Sequence, residues 1–141
     1  MADVQFIDHT DEVNAKLAEA MEAALKAIGE QAVSYAKQNV TEAGRVDTGD
    51  LRNSISKKVV EGENAVYVGT NQEYAAYHEL GTGVYAEGGG GRKSPWSYQD
   101  AEGNWHRTRG LRPIHFLKNA VQDHAGDLEQ IASKIIGDRM K

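Results

Sequence analysis

Asp47-Thr48-Gly49 is the triplet with which aspartic proteases present a carboxylate. In that chemistry two such aspartates share one proton across a twofold axis. Here Asp50 follows, where those enzymes carry a small or hydroxyl residue, and helical rather than strand sequence precedes the triplet. Turn chemistry fits better, because aspartate and threonine bond their own backbone and glycine supplies a positive φ. His78-Glu79 opens like a zinc-protease motif. Such a helix needs a second histidine four residues after the first, and position 82 is threonine. His106, His115 and His124 show no accepted ligand spacing. The glycine run before Arg92 lacks the Lys-Ser/Thr and the strand-to-helix setting of a phosphate cradle. No catalytic, metal or cofactor residues emerge, and the chain reads as a protein without enzymatic activity or cofactor.

Recognition chemistry is better supplied. Residues 92–118 hold six bases against Asp100 and Glu102, and Trp96 and Trp105 sit among them. Cations mixed with aromatics suit single-stranded nucleic acid. They equally suit a protein interface, where tryptophan and arginine are favoured anchors. The net charge of -5 favours the interface, with Arg92, Trp96, Trp105, Arg107 and Arg109 as its candidate residues. The alternative is a nucleic-acid-binding module using the basic aromatic loop 92–112. Residues 1–50 carry ten acids against four bases. An acidic front and a basic loop are either complementary contact surfaces or two solvated faces.

Several elements must position these residues. Val13, Leu17, Met21, Ala24, Ile28, Ala32 and Tyr35 recur at spacings of three and four, one stripe of a long helix from Thr10 to about Asn39. Thr10 or Asp8 can accept its first amides, and Gly29 suggests a bend. Val4 and Phe6 before it read as a tail or short edge strand. Asp47, Thr48 and Gly49 form a structural turn, with Asp50 capping one helical turn through Asn53. Ser54 to Val60 and Ala65 to Gly69, around Glu61-Gly62-Glu63-Asn64, predict a hairpin. Asn71 to Leu80 predicts a short helix with Gly81 as a left-handed stop. Residues 84–110 read as an extended insertion. Gly88 to Gly91 is flexible, then a hairpin turns at Asp100-Ala101-Glu102-Gly103. Pro113 starts one last helix whose inner face is Phe116, Leu117, Ala120, Val121, Leu128, Ile131 and Ile135. The fold class is α+β: long N-terminal and C-terminal helices packed on a small antiparallel sheet, with a long Gly-rich hairpin loop.

A chain of 141 residues, 40% hydrophobic and 26% charged, reads as one globular domain spanning 1–141. It has no cysteine, hence no disulfide framework. No apolar run reaches the roughly 20 residues a membrane span needs, and the N-terminus lacks a signal pattern.

Four motifs occur in order: Val46-Asp47-Thr48-Gly49-Asp50-Leu51-Arg52-Asn53-Ser54-Ile55, Val66-Tyr67-Val68-Gly69-Thr70-Asn71, Tyr74-Ala75-Ala76-Tyr77-His78-Glu79-Leu80-Gly81-Thr82, and Pro113-Ile114-His115-Phe116-Leu117-Lys118-Asn119-Ala120. Over about residues 10–125 the chain resembles the tail-component family of long-tailed phages named after a lambda-like gene-ten product. Family patterns often carry an aromatic where this chain has Leu80. The resemblance implies a structural virion protein of the neck or tail, assembled in the host bacterial cytoplasm. It implies a ring, hexameric or dodecameric, that completes the head–tail junction. The implied partners are further copies of itself, head-closure or connector proteins, and tail-terminator or tail-tube proteins, near the DNA channel and with no membrane.

Overall fold

A computed structural model describes residues 7–46, 49–100 and 102–141. Its spine is a 33-residue helix, α1, from Thr10 to Glu42. Asp8 begins it by accepting the Thr10 amide at 2.9 Å, while Asp11 and Glu12 place acid at the positive end of the helix dipole. The helix runs three residues past the expected stop and ends where Gly44 takes φ +71°. Val4 and Phe6 lie outside the described residues.

The buried face of α1 is Ala20, Ala24, Gly29, Ala32, Ala36 and Val40, rotated from the expected stripe toward its small members. Val13 and Leu17 are exposed, as is every residue from Asp11 to Glu19, and Lys16 there donates to the Lys141 carbonyl at 2.7 Å. Gly29 marks a close approach rather than a bend. A Cβ there would lie 2.7 Å from Val66 Cγ2 and 2.8 Å from Lys57 Cδ.

Those two neighbours belong to an antiparallel hairpin, β1 (Ser56–Val60) and β2 (Ala65–Gly69), in register Ser56↔Gly69 through Val60↔Ala65. Its turn closes through Asn64, which adopts left-handed geometry at φ +49°. Between α1 and β1 a single helical turn, α2 (Asp50–Ser54), buries Leu51. Its N-cap is Gly49 at φ +89°, so Asp50 lies inside the first turn rather than capping it. Asp47 and Thr48 fall outside the described residues. After β2 comes α3 (Ala75–Leu80), then β3 (Trp96–Gln99) and β4 (Trp105–Thr108), a second hairpin in a separate sheet.

The expected last helix is two: α4 (Phe116–Gln122) and α5 (Ala125–Arg139). It starts three residues after Pro113, behind His115 at φ +47°. The break falls at Asp123 and His124, where the His124 ring stacks on Tyr35 of α1 with centroids 3.5 Å apart. That break lets α4 seat Phe116 and Ala120 in the core while α5 runs back along α1 and buries Leu128. Both helices reach the rest of the fold mainly through α1, which also carries the first hairpin. Val121, expected inside, points outward at 47% exposure. Leu51, Ile55, Ala75, Phe116 and Ala120 close one cluster around Ala36 and Val40. The class is α+β.

Candidate functional site

The motif residues work as clasps. Glu79 on α3 sends its carboxylate across to the start of α4, where it accepts the amides of Leu117 and Lys118 at 2.9 and 3.0 Å. An anion placed on free amides at a helix start is held by both the hydrogen bonds and the helix dipole. Next to it, Arg45 donates from Nη1 to His78 Nδ1 at 3.1 Å and from Nη2 to the Arg112 carbonyl at 2.8 Å. Burial, with the Arg45 charge second, holds the His78 imidazole below its ordinary pKa. The His78 carbonyl accepts the Ile114 amide at 2.8 Å, and Asn39 donates to the Phe116 carbonyl at 3.2 Å. His78 and Glu79 are thus engaged by protein groups. No cluster of metal-ligating side chains occurs among the described residues.

These clasps fix the base from which the long loop leaves. Thr82 donates to Leu111 and Val84 to Arg109 through their backbones, at 2.9 and 3.0 Å. The two passing segments lie closer than side chains permit. A Cβ on Gly83 would sit 1.9 Å from the Arg109 carbonyl oxygen, and one on Gly110 would sit 2.0 Å from that of Thr82. Gly81 takes φ +80° and ψ 169°, a region open essentially to glycine alone, instead of the left-handed stop. Within the glycine run, Gly91 is seated against Gly83, so only Gly88, Gly89 and Gly90 have open space around them. The loop is therefore pinned at its root.

The second hairpin pairs Trp96 with Thr108 and Gln99 with Trp105. Alternation then puts Trp96, Tyr98, His106 and Thr108 on one face and Trp105 and Arg107 on the other. Arg92 lies 5.5 Å from the Trp96 ring centroid, within cation–π range. The five candidate residues are thus not one patch. Arg92 and Trp96 go together, and Trp105, which is 70% exposed, goes with Arg107. Arg109 continues from β4 into the glycine-locked base. Asp100 fixes the turn by accepting the amides of Glu102 and Asn104 and by pairing with His106 at 2.7 Å. These bonds, that from His106 foremost, lower its pKa. The Trp96 face looks toward α3 across a groove of about 770 Å³ walled by Tyr74, Tyr77, Tyr98 and Leu111.

The long α1, the β1–β2 hairpin and the α3 clasp fall within one family match. Residues 5–81 match the model of a family described as "Bacteriophage HK97-gp10, putative tail-component". The chain belongs to this HK97-gp10 family. It is a structural component of a phage tail, and so a virion protein with other tail proteins as its neighbours. No curated protein and no solved structure gives a significant match. Among the described residues no helix is long and apolar enough to cross a membrane.

The matched span ends at Gly81, so the glycine-locked loop, the second hairpin and the C-terminal helices lie beyond the part that defines HK97-gp10 membership. Three groups at the site were missed by sequence reasoning. Arg45 carried no signal beyond its place after a helix. Tyr74 and Tyr77 fall within the short helix expected from Asn71 to Leu80, and nothing local marks them as the wall of a groove. Glu79 was weighed as half of a zinc motif, although a carboxylate preceding an uncapped helix start by some forty residues has no local signature.

Proposed function

We propose that this tail component is a non-enzymatic ring subunit that completes the junction between head and tail. The observation that carries the reading is the placement of two dissimilar surfaces at opposite ends of the spine. An exposed acidic helix end stands at one, and a cationic aromatic hairpin on a pinned root stands at the other. Closed rings need heterologous contacts, in which each copy offers two different patches. Segment 84–110 acts as an insertion on a single domain, and Trp96, Trp105, Arg92, Arg107 and Arg109 bind neighbours in the ring or neck. Hexamers or dodecamers then seat connector or head-closure proteins on one side and tail-terminator or tail-tube proteins on the other, around the DNA channel.

Deleting residues 86–109 and joining the ends tests this. None of the buried core cluster lies in that segment, so the fold should survive. Native mass spectrometry of the full chain should show a closed oligomer that the deletion reduces to a monomer. A deletion variant that still assembles, and that supports infectious particles at normal titre, refutes the reading. A second reading rests on Arg92 over Trp96, with the further cations of the segment: stacking of single-stranded DNA on the loop 92–112. It predicts salt-dependent binding of an oligonucleotide by the monomer.

A further inference from the structure

The exposed end of α1 and the aromatic groove have matching chemistry and no means of meeting within one copy. From Val13 to Glu42 the helix extends roughly 44 Å at 1.5 Å per residue. The groove lies past its far end, where Arg45 grips His78. The free end carries Ile7, Val13 and Leu17 at 68, 49 and 38% exposure, with Asp8, Asp11 and Glu12 beside them. Val13 and Leu17, four residues apart, share one helical face.

The groove offers the complement. Its wall is apolar and aromatic, with Tyr77 57% and Tyr98 46% exposed. Arg92 lies over Trp96, which lines the groove, and brings a cation to its edge. The nearby acid of the hairpin turn, Asp100, is already paired with His106. Laying an amphipathic helix into a hydrophobic groove is a recurring recognition mode, read by anchors at i and i+4.

We infer that the Val13–Leu17 face of α1 from a second copy of this chain docks in the groove between Tyr77 and Trp96, with the acidic helix start of Asp8, Asp11 and Glu12 meeting Arg92. The inference rests on the ring reading above and supplies its contact. Each copy gives its α1 end to one neighbour and its groove to the other, so the contact propagates head to tail. A single such contact is small, and closure of the ring makes it persist through linked simultaneous contacts.

The absence of cysteine from the sequence allows a direct test. Val13→Cys and Tyr77→Cys both fall at exposed positions, which favours an unchanged fold. Oxidation of the full-length double variant should give a ladder of covalent oligomers ending at the ring, whereas each single variant stops at a dimer. Val13→Cys with Val121→Cys, also exposed but away from the groove, should give no ladder. Asp11→Lys with Glu12→Lys should abolish the ladder, and adding Arg92→Glu should restore it. If the Val13→Cys, Tyr77→Cys variant assembles by native mass spectrometry but yields no ladder, this contact is overturned and the ring reading stands. An equal ladder from the Val121 control also overturns it. A chain that stays monomeric and unlinked at the highest attainable concentration overturns both.

Discussion

Gly29→Ala sets two physical terms against each other. Inside a helix, alanine is favoured over glycine by about 0.8–1.0 kcal/mol, so from the helix alone the substitution stabilises. In the fold the new methyl would meet Val66 Cγ2 at 2.7 Å and Lys57 Cβ at 3.3 Å. The Lys57 chain end can swing aside, but Val66 is β-branched and holds one χ1 well, so the hairpin itself must move off the helix. Overpacking of this kind costs about 1–3 kcal/mol, which exceeds the propensity gain. The expected net effect is a loss of about 1 kcal/mol, or roughly 3–5 °C in Tm for a chain of this size. Gly137→Ala in α5 is the internal control, since nothing lies within 4 Å of a Cβ there and its φ is not positive. That change should stabilise by about 0.5–1 kcal/mol. Urea unfolding followed by helical circular dichroism gives both values, provided the m-value is unchanged. Two stabilised variants would show that the hairpin yields at no cost and that Gly29 does not set the helix–sheet distance.

Other outcomes follow from the clasps and the core. Glu79→Ala removes a charged acceptor from two amides and should cost about 2–3 kcal/mol by urea unfolding, while Glu79→Gln, which keeps one acceptor oxygen, should cost about half as much. Phe116→Ala, at a fully buried site, should cost about 3–5 kcal/mol, whereas Val121→Ala should stay within about 0.5 kcal/mol because that side chain faces solvent. Since the His78 pKa in the fold lies below its ordinary 6.5, the unfolded chain binds more protons as pH drops. Stability should therefore be full above about pH 6.5 and fall as pH is lowered through the folded pKa, with the slope flattened in His78→Gln.

The sequence made legible whatever depends on local periodicity. The long α1, the hairpin around Glu61-Gly62-Glu63-Asn64 and the second hairpin around Asp100 all emerge from spacing and turn residues. Which face of α1 is buried did not, because small residues rather than large ones set how closely two backbones approach. Ala20, Ala24, Gly29, Ala32 and Ala36 are buried, while Val13 and Leu17, the stronger hydrophobic signal, stand in solvent. The break at His124 was hidden because Phe116 through Ile135 keeps an apolar rhythm across it, and the stack found there pairs His124 with Tyr35, far away in sequence. The opposite facing of Trp96 and Trp105 depends on hairpin register, which a count of residues between two tryptophans does not fix.

The motifs that carry the family resemblance hold the frame, and the surfaces that differ between its two ends lie outside them. Glu79, His78 and Arg45 tie α3 to the start of α4, and Gly81, Gly83 and Gly110 lock the two segments that launch the loop. A frame fixed in this way can carry different insertions without repacking its core, since none of the buried cluster is drawn from residues 84–110. Rigidity at the root also limits the entropy lost on docking. Only Gly88, Gly89 and Gly90 among the run stand in open space, so ordering falls on a few residues, at about 1–2 kcal/mol each, rather than on the whole loop. A hairpin presented on such a root can bind a neighbour with a modest aromatic contact. The same contact would be too weak if all of residues 84–110 had to be ordered on assembly.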